Sequence, residues 1–480
     1  MRPLSTPSDR VGALERLAAR QFDLLVVGGG IVGAGIAEAA SAHGLDVALV
    51  DRGDFGGATS SASSKLIHGG LRYLRLGDVG LVREAHRERR LLMRVVAPHL
   101  VRRLPFLFPL YEGGPYRPWF VQSGILLYST LARSRLNGLV AVDRAARMVP
   151  ELRRDRLRAC ALYADAWTND SRLTLANVRA AANRGATVLN YAEVVAVREG
   201  GADVEVDGGL VRARARALVN AGGPWVDRIR RLEDDRARAS VRLSKGVHVL
   251  VDGGQDWGAA LTIPHDRVRV SFAVPWEGML LLGTTDTLHE GEPEEAAVTD
   301  TDVEQVLGEA GAALDGLGRP RASFSGLRVL PGGDGRTAAA RRETVFSTGR
   351  LGLVSVAGGK LTTYRRIALD ALDQIGVRGL SRRARPLPGA TGLERIAWPD
   401  DLDITSRNHL LHLYGSLAPE VLAPAVEEPS LLEPLVPGRP DLRVQERYAW
   451  VHEWAVTDED VLRRRTTAWL PAPAASAGGR

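Results

Sequence analysis

The readable pattern begins with Phe22-Asp23-Leu24-Leu25-Val26-Val27, an apolar run that stops at Gly28. Small and apolar residues then continue without proline from Ile31 to His43 and halt at Gly44. A second run, Asp46-Val47-Ala48-Leu49-Val50, follows and ends on Asp51. An unbroken apolar run suits a strand covered on both faces, and a proline-free stretch of small residues suits a helix lying close on it. The spacing predicts one strand–helix–strand unit over 22–51. Further along, Leu81–Val96 reads as a charged amphipathic helix ended by Pro98. Ser171–Asn183 reads as helix, Ala186–Val197 as strand, and Val204–Val211, with its turn Asp207-Gly208-Gly209, as a hairpin.

Residues 104–125 are rich in proline and aromatics, the mark of a cap or second domain. Over 241–290 the pattern alternates (Val247–Val251, Val268–Ala273, Met279–Leu282) and predicts an antiparallel sheet. A helix is expected near 301–315, then a strand at Gly352–Val356, the pair Gly358-Gly359 and a helix from about Thr362 to Ile375. Short helices and a Pro/Ala/Gly tail fill 385–480. This order implies an α/β fold in which a Rossmann-like domain is interrupted by an inserted antiparallel-sheet substrate domain, followed by a small C-terminal helical domain. The expected boundaries are 20–98, 150–240 and 325–378 for the first unit, 99–149 and 241–324 for the second, and 385–470 for the third.

Composition narrows the field. With 480 residues, 45% hydrophobic and 25% charged, the chain is long enough for two or three packed units and has no window resembling a spanning helix. Its first twenty residues lack the apolar core of an export signal. The single thiol, Cys160, excludes an intrachain disulfide and cysteine-ligated iron–sulfur or zinc sites, so no metal and a reducing, cytoplasmic setting are expected. The net charge of +6 is spread over the chain without basic blocks interleaved with aromatics, which argues against nucleic acid and for mild attraction to anionic substrates or lipid. Only Lys65, Lys245 and Lys360 are lysine; arginine supplies the other 60 basic residues. Lysine kept so sparingly suggests places where a compact, titratable ammonium is needed, against the alternative of coding bias.

The turn Gly28-Gly29-Gly30-Ile31-Val32-Gly33 has a physical reason at each glycine. Gly28 allows the tight bend, Gly30 lets a pyrophosphate approach the backbone, and Gly33 lets helix and strand touch. The helix start offers N–H groups and a positive dipole end to phosphates, and Asp51 can accept ribose hydroxyls. After the acid comes Gly56-Gly57-Ala58-Thr59-Ser60-Ser61-Ala62-Ser63-Ser64-Lys65-Leu66-Ile67-His68-Gly69-Gly70. Small hydroxyl residues ahead of a lysine suit a long cofactor crossing the domain, which points to FAD.

The segments GGGIVGAGIA (28–37), TSSASSKLIHGGLRYL (59–74), APHLVRRLPFLFPLY (97–111), VNAGGPW (219–225), KGVHV (245–249), LLGTTD (281–286), SGLRVL (325–330) and GGKLTTYRR (358–366) together resemble the FAD-dependent, respiratory glycerol-3-phosphate dehydrogenase family. The likeness runs from about residue 20 to 375 and more weakly to Trp469. It implies FAD contacts at Gly28, Gly30, Gly33, Asp51, Thr59, Ser60, Ser61, Lys65 and His68, at Asn220, Ala221 and Gly222, and at Gly358, Gly359, Lys360 and Leu361. It also implies a substrate site of Arg72, Tyr73, His248, Arg328 and Lys360. Two positions depart from the family's usual residues: Val32, where Asn is common, and Asn169-Asp170, where an Asp pair is common.

The implied reaction is oxidation of sn-glycerol 3-phosphate to dihydroxyacetone phosphate, with hydride to flavin N5 and electrons on to a membrane quinone. Arginine forks at Arg72 and Arg328, with the Tyr73 hydroxyl, suit a phosphate. His248 is the expected base, although a half-buried strand histidine would show the same alternation in Val247–Val251. Lys360 is the rival base and is first expected to stabilise charge on the reduced flavin. A quinone user is expected to sit peripherally on the inner face of the cell membrane. Residues Trp119–Tyr128 could supply its apolar face, with a buried cap helix as the competing reading. An oxygen-using glycerol-3-phosphate oxidase, a flavin amine oxidase and a non-catalytic flavoprotein are the alternatives, and a homodimer stays open.

Overall fold

A computed structural model describes residues 9–70, 78–114, 116–135, 138–266, 269–332 and 344–472. Two sheets organise these residues. In the first, Leu353–Ala357, Gly209–Asn220, Gln21–Val27, Val47–Val50 and Thr187–Leu189 lie parallel in that order. All five therefore point their carboxyl ends the same way, with Val27 level with Val50 and Asn220. Their side chains are apolar on both faces because both are covered: helices Ile31–Ala42, Asp170–Ala182 and Tyr364–Gln374 share one core with Leu24, Val26, Leu49 and Val219, while helix Arg10–Ala19 and strands Ala192–Arg198 and Gly201–Val206 pack against Leu25, Val27, Ala48 and Val50. The small residues of the first helix serve this packing, since a Cβ on Gly35 would stand 2.7 Å from the Tyr364 ring.

The second sheet joins Thr287–His289, Val241–Val251, Met279–Gly283, Val270–Trp276, Ala260–Pro264, Val101–Tyr111, Leu157–Thr168 and Leu66–Ile67, with Pro320–Pro331 along Val241–Val251 and Gly138–Val140 along Leu157–Thr168. Pairing is antiparallel except between Ala260–Pro264 and Val101–Tyr111. Leu157–Thr168 and Pro320–Pro331 thus belong to this sheet, although the sequence order suggested that 150–240 and 325–378 go with the dinucleotide unit. Strand partners chosen across more than forty residues of chain leave no trace in local periodicity.

Two further differences are local. The expected strand Ala186–Val197 is split: Thr187–Leu189 continues the parallel sheet, the chain turns at Tyr191 (φ +51°), and Ala192–Arg198 pairs antiparallel with Gly201–Val206. The proline- and aromatic-rich stretch forms the eleven-residue strand Val101–Tyr111 and then the helix Pro118–Ala132. The hairpin forms as expected, with Asp207 and Gly208 both at positive φ between Gly201–Val206 and Gly209–Asn220. The C-terminal region packs helices Ile404–Tyr414 and Arg443–His452 around Leu410, Leu413, Val421 and Tyr448.

Candidate active site

The parallel strands end in the segments that the sequence singles out. Val27 leads into Gly28, Val50 into Asp51, Asn220 into Ala221-Gly222, and Ala357 into Gly358-Gly359. Parallel pairing brings these four turns to one edge, where open α/β sheets bind their ligands. A cavity of about 740 Å³ opens there. Gly28, Gly30, Asp51, Thr59, Ser60, His68, Ala221, Gly222, Gly358, Gly359, Lys360 and Leu361 border it, and from the second sheet so do His248 and Arg328.

Gly28 sits at φ +104°, and a Cβ on Gly33 would lie 1.8 Å from the Gly28 carbonyl oxygen, so neither position tolerates a side chain. The helix from Ile31 consequently starts directly on the strand end. Ile31 N donates to Ser60 Oγ (2.9 Å), which ties the hydroxyl run to the helix start. Asp51 accepts from Gly29 N at 2.5 Å and Gly53 N at 2.8 Å, leaving lone pairs for ribose hydroxyls. Burial raises its pKa to about 6, although both backbone bonds pull it down. A glycine-walled helix start, a carboxylate at the second strand end and a cavity running on to a second sheet fit an FAD dinucleotide and its flavin.

Four expected cofactor residues stand behind this lining. Gly33 acts through the close approach just described. Asn220 is fully buried: its Nδ2 donates to Val226 O and Ser355 Oγ, and its Oδ1 accepts from Gly222 N, so it shapes the second turn. The Ser61 hydroxyl donates to Ala58 O within its own loop. Lys65, 3% exposed and at φ +60°, gives its ammonium to Asp170 (2.7 Å) and Ser61 O (2.5 Å). Asp170 also takes the Ser63 hydroxyl, so Lys65 anchors the run to the helix Asp170–Ala182. Lys245 likewise pairs with Asp302 at 2.6 Å. Of the three lysines, only Lys360 borders the cavity. At the departure Asn169-Asp170, Asn169 caps that helix by accepting from Arg172 N.

On the second sheet His248 lies opposite both Gly283 and Phe324 in register, its ring stacked on Phe324 at 5.0 Å. A Cβ on Gly283 would be 2.6 Å from the imidazole, so that glycine makes room for the ring. His248 Nε2 bonds the Ser64 hydroxyl at 2.9 Å, while among the described residues Nδ1 has no hydrogen-bond partner. Burial first, then the charges of Arg328 and Lys65, hold its pKa well below the usual imidazole range, so the ring is neutral. Arg328 donates to Thr284 Oγ1 (2.9 Å), Thr285 O (3.1 Å) and Ser244 Oγ (3.3 Å), with Asp286 at 3.6 Å. His68 is held through its backbone by the Thr362 hydroxyl. Arg72 and Tyr73 lie outside the described residues.

Sequence reasoning did not assign Ser64, Ser244, Thr284, Thr285 and Thr362, whose roles arise from cross-sheet contacts; Ser64, Thr284, Thr285 and Thr362 do fall inside the quoted motifs. It also missed Arg464 and Glu459, which reach the cavity from the far end of the chain. Nothing local in the sequence distinguishes these two from the chain's other arginines and glutamates.

Comparison with known proteins agrees with this geometry. The family described as "FAD dependent oxidoreductase" matches residues 23–365, and "C-terminal domain of alpha-glycerophosphate oxidase" matches 380–477. Glycerol-3-phosphate dehydrogenase 2 of Mycobacterium tuberculosis is 38% identical, covering 97% of this chain and 84% of that protein. D-erythritol 1-phosphate dehydrogenase of Brucella abortus is 36% identical over 93% of this chain and 94% of its own length. The crystal structure of glycerol-3-phosphate dehydrogenase from Bacillus halodurans, complexed with FAD, superposes with a TM-score of 0.76 at 28% identity, covering 97% of this chain and 90% of that one. The cofactor of this site is FAD.

Proposed function

This chain belongs to the FAD-dependent oxidoreductase family, and from that premise we propose that it oxidises sn-glycerol 3-phosphate to dihydroxyacetone phosphate, with a membrane quinone as final acceptor. The observation that carries the reading is that Arg328, Lys360 and His248 all line the cofactor cavity. FAD supplies the hydride acceptor at flavin N5. Arg328 holds the phosphate, its fork already oriented by Thr284 and Thr285. His248, kept neutral and oriented by Ser64, takes the C2 hydroxyl proton as hydride leaves. The phosphate dianion beside Arg328 offsets that cation and raises the proton affinity of the imidazole once substrate is bound. Lys360 stabilises the negative charge that develops on the flavin side.

Anaerobic mixing with glycerol 3-phosphate, followed by flavin bleaching, tests the reading. Bleaching is expected, with colour returning on addition of a soluble quinone faster than with oxygen. Bleaching by glycine or sarcosine and none by glycerol 3-phosphate would overturn it. A longer polyol phosphate is a second reading, favoured by the near full-length match to the erythritol-phosphate enzyme. It uses the same phosphate grip and is tested by the ratio of kcat/KM for the two substrates.

The proposed membrane face is the helix Pro118–Ala132. Val121, Ile125 and Tyr128 bury one side, while Trp119 (64% exposed), Phe120, Leu126 (57%) and Leu127 stand out on the other. No charged residue occurs within the helix, and the exposed arginines Arg117, Arg133 and Arg135 flank it. An apolar face carrying Trp and Phe, bracketed by cations, suits shallow insertion into an anionic lipid surface. Among the described residues no helix is long and apolar enough to cross a membrane.

A further inference from the structure

Asp54 lies three residues beyond Asp51, on the turn that leads from the second parallel strand to the hydroxyl run, and is 5% exposed. Its Oδ2 accepts from Arg464 Nε and Arg465 Nη1, and its Oδ1 accepts from Arg465 Nη2 at 2.7 Å and Asn190 Nδ2 at 3.1 Å. Two guanidiniums from the C-terminal region thus converge on one carboxylate of the dinucleotide turn. Arg464 is held in turn by Asp460, whose Oδ1 also takes the Tyr191 hydroxyl at 2.7 Å. Beside this cluster Phe55 packs edge-on against Trp454 at 6.0 Å. The same ring lies so near the glycine turn that a Cβ on Gly29 would be 2.4 Å from it. Arg464 and Glu459 border the cofactor cavity itself.

We propose that Arg464 and Arg465 form a latch on Asp54 through which the C-terminal region governs FAD retention, with Arg464 as a positioning residue of the dinucleotide site. Asp51 must be ionised to accept two ribose hydroxyls, and a bare carboxylate three residues away opposes its ionisation. The arginine pair compensates the charge of Asp54, so that it opposes Asp51 less than a bare carboxylate would, and fixes the turn against Phe55 and Gly29. Arg465 alone still partners Asp54 when Arg464 is removed, so an Arg464 variant keeps a paired buried carboxylate and should fold.

The test measures FAD binding without substrate, so it stands apart from the proposed reaction. FAD dissociation constants are taken from flavin fluorescence between pH 5.5 and 8 for wild type, Arg464→Gln, Arg464→Lys, Arg464→Gln/Asp54→Asn and the surface control Arg447→Gln. Arg464→Gln is expected to weaken FAD binding about ten- to a hundredfold, the size of a lost charged hydrogen bond, and to move the pH midpoint of binding upward. Arg464→Lys is expected to keep the midpoint, the double variant to return it to the wild-type value or below, and the control to change nothing. An unaltered dissociation constant and midpoint in Arg464→Gln would overturn the proposal. So would weaker binding with no midpoint change in either Arg464→Gln or the double variant, since that is a purely structural effect.

Discussion

At the scale of single residues, the same chemical type does opposite jobs according to its surroundings. Lys65 and Lys360 both lie in motifs, yet Lys65 is sealed against Asp170 while Lys360 borders the cavity. Removing one partner of a buried pair leaves a charge without compensation, at a cost of about 3–5 kcal/mol. Lys65→Met should therefore lower unfolding stability by about that amount in denaturant titration, and Lys65→Met/Asp170→Leu should recover much of it. Arg328→Ala should raise KM for the phosphorylated substrate with little change in the bleaching rate at saturation. Lys360→Ala should do the reverse. Asp51 sets the pH behaviour. Its folded pKa of about 6 exceeds the ordinary 3.8, so across that window the folded apoprotein holds a proton that the unfolded chain has lost. Raising pH through the window thus lowers apoprotein stability while creating the anion that binds ribose. FAD affinity should fall by up to about tenfold per unit below pH 6, read by flavin fluorescence; a flat profile there would remove Asp51 from the site.

At the scale of elements, the site is a meeting of strand ends. Register places Arg328 beside Ser244 and His248 beside Phe324, so both proposed substrate-facing groups come from one antiparallel pair. Periodicity revealed the first strand, the glycine turn and the second strand, because a buried parallel strand and a tight helix start leave no freedom in residue type. It did not reveal the break at Tyr191, where Thr187–Leu189 pairs with the remote Val47–Val50 and Ala192–Arg198 with the neighbouring Gly201–Val206, or the pairing of Leu157–Thr168 with the distant Val101–Tyr111. The helix Pro118–Ala132 carries its own test. Full burial of a leucine is worth about 1.5–3 kcal/mol, so Leu126→Asp should weaken binding to anionic vesicles roughly ten- to a hundredfold while leaving anaerobic flavin reduction intact.

At the scale of the whole molecule, the cofactor cavity is walled by both sheets and touched by the C-terminal region, so FAD bound there would contact all three. Buried charges reinforce the junction: Glu453 takes Arg172 through two bonds at 2.7 and 2.9 Å and Arg179 at 3.1 Å. FAD at a hundredfold its dissociation constant should stabilise the fold by about 2.7 kcal/mol. Calorimetry should show the two sheets and the C-terminal region shifting upward together; a C-terminal transition insensitive to FAD would contradict the coupling.

The steric demands at Gly28 and Gly33 and the carboxylate at Asp51 are local and admit few residues, so the dinucleotide turn was legible in the sequence, and the hydroxyl run ahead of Lys65 pointed to FAD. The sequence motifs also named His248, Arg328 and Lys360. Only the tertiary structure decided that Lys65 and Lys245 are anchors, that Ser64 orients His248, and that Arg464 and Arg465 close on Asp54. Those outcomes depend on which distant chains meet in a low-dielectric interior, where a charge must find a partner, and that partner is not written in its neighbours.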